Sequence, residues 1–140
     1  MLNILIADDS RAIVTLMCGY MSKHGECSIA MTGREAVQLF DSAMEYDDPF
    51  DVVLLDIMMP EMDGLTAAKL IRELETERGV EPGCGARLVM VSCLTDPKNM
   101  MQAAYDIGAD IYLTKPLDEK DLVECLANLG LITRQGGDHE

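Results

Sequence analysis

Short continuous apolar runs alternate along this chain with longer stretches in which apolar residues recur at helical spacing. The run at residues 52–55 is continuous rather than alternating, which indicates a strand buried on both faces of a parallel sheet. Similar runs begin at Leu2, Cys27, Leu88 and Ile111. After each run, apolar residues recur every three or four positions, which is typical of amphipathic helices. The pattern therefore predicts five strands that alternate with five helices, the arrangement of an α/β domain.

The predicted strands should form one sheet, because repeated strand–helix–strand units form parallel sheets joined by right-handed crossovers. They cover residues 2–7, 27–30, 52–55, 88–91 and 111–113. We expect a doubly wound five-stranded parallel sheet with five helices on both faces and the flavodoxin-like strand order 2-1-3-4-5. In that order the first and third strands are neighbours, so their carboxyl ends meet at one edge of the sheet.

Capping signals predict where the helices begin and end. Gly25 is the expected C-cap of the first helix, and Thr32 with Glu35 has the form of a capping box at the start of the second. Asp96, which is followed by a proline, predicts the start of the fourth helix, and Asp118 that of the fifth. The apolar stripe predicted for the first helix consists of Ile13, Leu16, Met17, Tyr20 and Met21.

The composition is that of one globular domain. Of the 140 residues, 49% are hydrophobic, and we assign residues 1–130 to the domain and residues 131–140 to a short polar tail. A net charge of -14 argues against direct binding of nucleic acid or of anionic membranes and favours metal ions and cationic partners. No apolar run reaches the length of a membrane span. An odd number of cysteines without a C-x-x-C motif indicates reduced thiols, so we expect a cytoplasmic protein. The cysteines are Cys18, Cys27, Cys84, Cys93 and Cys125.

Carboxylates follow the first and third predicted strands. Asp8 and Asp9 come after the first strand, and Asp56 ends the third. Three carboxylates in one pocket repel one another, and a hard divalent cation with oxygen ligands removes that repulsion. We therefore expect Mg²⁺ at this edge, with Asp9 and Asp56 as direct ligands, Asp8 acting through water, and the backbone carbonyl of Met58 as a further ligand.

Two more strand ends place complementary groups at the same edge. Ser92 supplies a hydroxyl after the fourth strand, and Lys115 supplies an ammonium after the fifth. The bond from Lys115 to Pro116 is a candidate cis peptide, because X-Pro bonds tolerate that form. Phosphoryl transfer depends mostly on positioning and charge neutralisation, which such a set of groups provides. The arrangement predicts that Asp56 is a nucleophile that forms an aspartyl phosphate.

These motifs together resemble the response-regulator receiver domains of two-component signalling, in particular the single-domain type found among chemotaxis regulators. The resemblance covers about residues 2–130. It rests on Asp8-Asp9 after the first strand, L-L-D-I-M-M-P-E-M-D-G around Asp56, Ser92 after L-V-M-V, and Lys115-Pro116 after G-A-D-I-Y-L-T.

The resemblance implies a role for each of these residues. Asp56 would accept a phosphoryl group from the phosphohistidine of a sensor histidine kinase or a phosphotransfer protein. Asp8 and Asp9 would hold Mg²⁺, Ser92 would hydrogen-bond the phosphoryl group, and Lys115 would pair with it. The chain would then be a phospho-acceptor of a phosphorelay rather than an enzyme, with only slow self-phosphorylation and dephosphorylation.

The resemblance also implies a switch and an output surface. Tyr112 matches the switch aromatic of the family, which turns inward on phosphorylation. The fourth helix, fifth strand and fifth helix would form the face that binds a downstream protein. Two features depart from the family pattern: Cys93 stands where a small residue is usual, and the loop at residues 79–87 is longer than in minimal members.

Three other interpretations stay open at this stage. The chain could be a receiver fragment of a larger hybrid kinase or multidomain regulator instead of a stand-alone regulator. An aspartyl-phosphate phosphatase would carry D-x-D after the strand, but Met58 occupies the second aspartate position. A flavodoxin-like cofactor binder would carry a hydroxyl- and glycine-rich phosphate loop where Asp8 and Asp9 stand. Turnover of a phosphate ester would support the phosphatase, and a coloured purified protein would support the cofactor binder.

Overall fold

The computed structural model describes residues 1–93 and 99–133, and in these ranges five strands alternate with five helices. The strands are β1 (Leu2–Ala7), β2 (Gly25–Ala30), β3 (Val52–Asp56), β4 (Arg87–Ser92) and β5 (Ile111–Thr114). The helices are α1 (Arg11–Met21), α2 (Gly33–Glu45), α3 (Gly64–Glu77), α4 (Met100–Ile107) and α5 (Glu119–Asn128). No helix in the described ranges is both long and apolar enough to cross a membrane.

The five strands form one parallel sheet in the order β2-β1-β3-β4-β5, which confirms the predicted fold. Ala7 at the end of β1 pairs with Leu55 near the end of β3, so the residues that follow these two strands are neighbours. Further along the same edge, Asp56 pairs with Val91 of β4, and Ser92 pairs with Thr114 of β5. The register therefore brings the carboxyl ends of four strands side by side.

Two hydrophobic clusters lie on opposite faces of the sheet. One contains buried residues of α2, α3 and α4, such as Phe40, Ile71 and Ala104. The other contains buried residues of α1 and α5, such as Met17 and Leu126. Since successive strand residues point to opposite faces, a strand between two helical layers must be apolar on both sides. All five residues of β3 are buried, as its continuous apolar run predicted.

Side-chain caps begin four of the described helices. Thr32 accepts a hydrogen bond from the backbone N–H of Glu35, and Asp118 accepts one from Asp121, so both predicted helix starts are confirmed. The carboxylate of Glu35 accepts from the backbone N–H of Met31 rather than from that of the cap residue. Ser10 and Asp63 cap α1 and α3 in the same way. The helix start predicted at Asp96 lies outside the described residues.

Two local predictions were wrong. Gly25 does not cap α1: it is the first residue of β2, and a Cβ there would lie 2.1 Å from the carbonyl oxygen of Leu2 on the paired strand. The chain needs glycine at that close approach, and the C-cap of α1 is Ser22 instead. Leu16 of the predicted α1 stripe is 49% exposed, and Val14 is buried in its place, whereas Met17 and Met21 are buried as predicted.

Candidate functional site

Three carboxylates converge at the edge formed by the ends of β1 and β3. Asp8 and Asp9 follow β1 directly, and Asp56 is the last residue of β3. One carboxylate oxygen from each of the three lies within 4.8 Å of the other two. Asp8 is 2% exposed and Asp56 is 4% exposed, whereas Asp9 is exposed to solvent. The predicted convergence of these three residues is confirmed.

Lys115 reaches the same carboxylates from the end of β5. Its Nζ donates a hydrogen bond to Oδ2 of Asp8 at 2.7 Å and lies 3.5 Å from Oδ1 of Asp56. Its backbone N–H donates to the carbonyl oxygen of Ser92 at 2.7 Å, which ties the end of β5 to the end of β4. The peptide bond between Lys115 and Pro116 is cis, as predicted. The ammonium thus serves as the counter-ion of two buried carboxylates.

The charges of the site perturb one another. Burial and the nearby charge of Asp8 together raise the pKa of Asp56 from 3.8 to about 6, although Lys115 opposes both effects. Burial alone would lower the pKa of Lys115, but its hydrogen bond to Asp8 and the charges of Asp56 and Asp8 raise it above the ordinary value. The carboxylate of Asp56 and the ammonium of Lys115 therefore both hold a proton more tightly than they would in solution.

The donor set suits a hard divalent cation. Oδ1 of Asp56 is buried and accepts no hydrogen bond from the described residues, so one carboxylate oxygen has lone pairs to offer. Oδ1 of Asp8 accepts from the backbone N–H of Ser10 at 2.9 Å, and exposed Asp9 opens the cluster to solvent. Oxygen ligands in an acidic pocket with solvent access match the way in which proteins bind Mg²⁺, which keeps several of its waters. The ligand role of the Met58 carbonyl stays a prediction.

The loop after Asp56 folds back over the end of β3. The backbone N–H of Ile57 donates to the carbonyl oxygen of Val91 at 3.0 Å, and that of Gly64 donates to the carbonyl oxygen of Ile57 at 2.7 Å. A Cβ at Gly64 would lie 2.2 Å from the carbonyl oxygen of Asp56. Glycine is therefore required where α3 begins against the strand end, and its close approach holds the loop beside the carboxylate. The side chain of Met58 in this loop is exposed.

Ser92 and Tyr112 lie where the fold should place them, although their roles stay predictions. Ser92 is buried at the end of β4, one residue beyond the partner of Asp56 in the sheet. Tyr112 is half-buried in β5 and packs against the cluster on the α2, α3 and α4 face. Cys93 follows Ser92 and is exposed.

A second polar cluster, which the sequence analysis did not identify, joins α3 to β4 and to the end of α4. Glu75 is buried and accepts hydrogen bonds from Arg72 and from the backbone N–H of Ala86, each at 2.7 Å. Arg72 also donates to the carbonyl oxygen of Gly108 at 2.9 Å and pairs with Asp110 at 3.2 Å. Glu75 lies four residues after buried Ile71 in α3. This helical spacing was the signal in the sequence that Glu75 faces the core.

Comparison with known proteins places the chain in a family. The sequence model described as "Response regulator receiver domain" matches residues 4–127. "Probable histidine kinase 2" of Oryza sativa subsp. japonica is 27% identical over 135 residues, which are 89% of this chain and 12% of the kinase. "Chemotaxis protein CheY" of Halobacterium salinarum is 29% identical over 128 residues, which are 91% of this chain and 95% of that protein. The chain thus spans only 12–14% of the length of the rice histidine kinases that it matches.

Solved structures give the same result for the fold. The complex of CheX with CheY, BeF₃ and Mg²⁺ from Borrelia burgdorferi matches with a TM-score of 0.77 and 28% identity over 94% of this chain and 90% of the matched chain. Vibrio cholerae CheY4 matches with a TM-score of 0.74 and 26% identity over 91% of this chain and 98% of the matched chain. The family model covers most of the chain and includes every carboxylate of the acidic cluster. The chain belongs to the response regulator receiver domain family, the phosphoryl-accepting modules of two-component signalling.

Proposed function

We propose that this chain is a stand-alone response regulator that accepts a phosphoryl group on Asp56 and signals through a phosphorylation-dependent change of its surface. The observation that carries the proposal is the environment of Asp56. Its carboxylate is buried, one of its oxygens accepts no hydrogen bond from the described residues, and Lys115 lies 3.5 Å from that oxygen. A buried, poorly solvated carboxylate beside a fixed cation is arranged for nucleophilic attack.

The transfer follows from the properties of these groups. Asp56 is ionised at neutral pH, because its pKa of about 6 lies below that value, yet it is more basic than an ordinary aspartate. A carboxylate oxygen attacks the phosphorus atom, an O–P bond forms, and the bond from phosphorus to the donor histidine nitrogen breaks with its electron pair left on nitrogen.

Two further groups would act on the phosphoryl oxygens. Lys115 neutralises negative charge on them, and the hydroxyl of Ser92 donates a hydrogen bond to one of them. Asp8, Asp9 and Asp56 would hold Mg²⁺, which supplies additional positive charge when it is bound. Because Lys115 already pairs with Asp8 and Asp56, the ammonium need not be ordered from solvent at the moment of transfer.

The output would be a protein surface rather than an enzyme activity. Met101 and Tyr105 of α4 are 49% and 45% exposed, which supports a protein-binding face on α4, β5 and α5. Tyr112 lies on β5 within this region and would turn inward as the hydroxyl group moves toward the phosphate. The proposed upstream partner is a sensor histidine kinase or a phosphotransfer protein. The cytoplasmic location stays a prediction.

The near full-length match to CheY of Halobacterium salinarum supports the stand-alone form. The matches to long histidine kinases support the alternative, a receiver fragment of a hybrid kinase or multidomain regulator. The size of the native protein, captured from cells with an antibody against this chain, separates the two. A native mass close to that of 140 residues supports the stand-alone regulator, and a much larger mass supports the fragment.

The phosphoryl-acceptor role is tested with acetyl phosphate, a small donor that needs no kinase. Wild type, Asp56→Asn and the matched control Asp106→Asn are incubated with acetyl phosphate and Mg²⁺, and their intact masses are measured. Asp106 is an exposed aspartate on α4. We expect one added phosphoryl group on wild type and on the control, and none on Asp56→Asn. No addition to wild type, or equal addition to Asp56→Asn, would show that the proposal is wrong.

A further inference from the structure

Cys18 and Cys27 lie in contact between α1 and β2. Sγ of Cys27 on β2 donates to the backbone carbonyl oxygen of Cys18 on α1 at 4.0 Å. The two thiols are also close enough to interact electrostatically, since the charge of Cys18 contributes to the raised pKa of Cys27. Both residues pack against the hydrophobic cluster of α1 and α5, which fixes the helix against the edge strand. A contact held by packing on both sides presents the two sulfur atoms to each other in the folded chain.

The pair is also open to reagents. Cys18 and Cys27 are each only half-buried, whereas Cys125 is buried within α5. The two exposed cysteines, Cys84 and Cys93, lie at opposite ends of β4. Cys18 and Cys27 therefore combine mutual contact with access, and both conditions are needed for one cysteine to resolve a modification formed on the other.

We propose that Cys18 and Cys27 form a reversible intrachain disulfide when the chain meets a low-molecular-weight disulfide oxidant, so that the α1–β2 contact is a thiol modification site. The site is separate from the phosphoryl-acceptor site. Cys27 pairs with Ile4 in the middle of β1, whereas the acidic cluster lies beyond the end of that strand. The proposal therefore does not depend on the function of Asp56.

The two cysteines would take different parts in the exchange. Burial, together with the charge and the side chain of nearby Cys18, raises the pKa of Cys27 to about 12. Cys27 accordingly keeps its proton at neutral pH, and the first attack falls to Cys18. The Cys18 thiolate attacks one sulfur of oxidised glutathione, an S–S bond forms, and one glutathione thiolate leaves.

The second step closes the bond within the chain. Cys27 releases its proton to solvent and attacks the sulfur of Cys18, which displaces the second glutathione thiolate. In total the two cysteines lose two hydrogen atoms, and oxidised glutathione gains two electrons and two protons to give two molecules of glutathione. The high proton affinity of Cys27 makes this closing step the slower one.

The test uses the native chain and oxidised glutathione as the probe. After exposure, the remaining thiols are alkylated and the protein is digested with trypsin under non-reducing conditions. Trypsin cleaves after Lys23, which lies between the two cysteines, so a disulfide joins peptide 12–23 to peptide 24–34. We expect this linked pair as the main product of Cys18 and Cys27, and its disappearance on treatment with a reductant.

Two controls make the result decisive. Cys84→Ser should give the same yield of linked peptides, because Cys84 lies outside the contact, whereas Cys18→Ser should give none. Mixing ¹⁵N-labelled with unlabelled protein should give only all-light and all-heavy linked pairs. The inference is wrong if Cys18 and Cys27 stay free or carry separate glutathione adducts while exposed Cys84 is modified. Mixed light–heavy pairs would also overturn it, because they would show bonds between chains.

Discussion

Replacement of Asp56 by asparagine should stabilise the folded chain at neutral pH, although the change removes the proposed phosphoryl acceptor. Burial and the charge of Asp8 raise the pKa of Asp56 from 3.8 to about 6, so the fold disfavours the ionised form. Asparagine has nearly the same shape and carries no charge. The hydrogen bond from Lys115 to Asp8 at 2.7 Å remains in the variant, so the ammonium keeps a partner.

The size of this stabilisation and its dependence on pH follow from the raised pKa of Asp56. A rise from 3.8 to about 6 corresponds to about 3 kcal/mol, at about 1.4 kcal/mol for each pKa unit. For an acid whose pKa is raised by folding, this cost is absent below the unfolded pKa, grows as pH rises between the two values, and is complete above the folded pKa. The variant should therefore exceed wild type in free energy of unfolding by about 1.5 kcal/mol near pH 5 and by about 3 kcal/mol near pH 7.5.

Urea titrations of wild type and Asp56→Asn at these two pH values, with a chelator present to exclude divalent cations, measure the difference directly. Asp106→Asn serves as the control, because Asp106 is exposed on α4, and its difference from wild type should stay small at both values. If Asp56→Asn is no more stable than wild type near pH 7.5, or if its advantage does not change with pH, the assigned electrostatics of the site are wrong.

Three further changes test other parts of the structure. Arg72→Met leaves buried Glu75 without its cation and should lower the free energy of unfolding by about 3 kcal/mol in urea titrations. The control Arg78→Met breaks the more exposed pair with Asp41 and should lower it by about 1 kcal/mol or less. Equal losses would contradict the structural role of the buried pair. Gly64→Ala places a Cβ 2.2 Å from the last carbonyl oxygen of β3 and should slow phosphorylation by acetyl phosphate and lower the melting temperature. The control Gly19→Ala meets no atom within 4 Å and should stabilise the chain by about 0.5–1 kcal/mol. Mg²⁺ at about one hundred times its Kd should raise the free energy of unfolding by about 2.7 kcal/mol, a gain that a chelator reverses, and an unchanged urea midpoint would argue against the metal site.

The sequence was sufficient to predict the fold and the convergence of the site for a simple physical reason. A strand buried on both faces has to be continuously apolar, and residues 52–55 show that pattern without polar interruption. Parallel strands in the predicted order end at one edge, so the sequence alone places Asp8, Asp9, Asp56 and Lys115 together. The structure confirms their proximity.

Details that depend on tertiary contacts were not predictable in this way. Helix α1 is apolar around most of its circumference, so periodicity could not distinguish exposed Leu16 from buried Val14. Glycine is a common residue at the C-terminal end of a helix, but the role of Gly25 depends on how closely Leu2 of the neighbouring strand approaches it. The burial of Glu75 depends on the backbone N–H of Ala86, which lies 11 residues away, just before β4, and helical periodicity does not specify that contact.

The position of the phosphoryl group on the chain is the most direct test of the account. Wild type is phosphorylated with acetyl phosphate and Mg²⁺ and then reduced with borohydride, which converts an acyl phosphate to an alcohol and so an aspartyl phosphate to homoserine. Peptide mapping by mass spectrometry then locates the converted residue. If Asp56 is the phosphoryl acceptor, homoserine appears at Asp56, whereas Asp8 and Asp9 remain aspartate. Homoserine at another aspartate, with Asp56 intact, would contradict it.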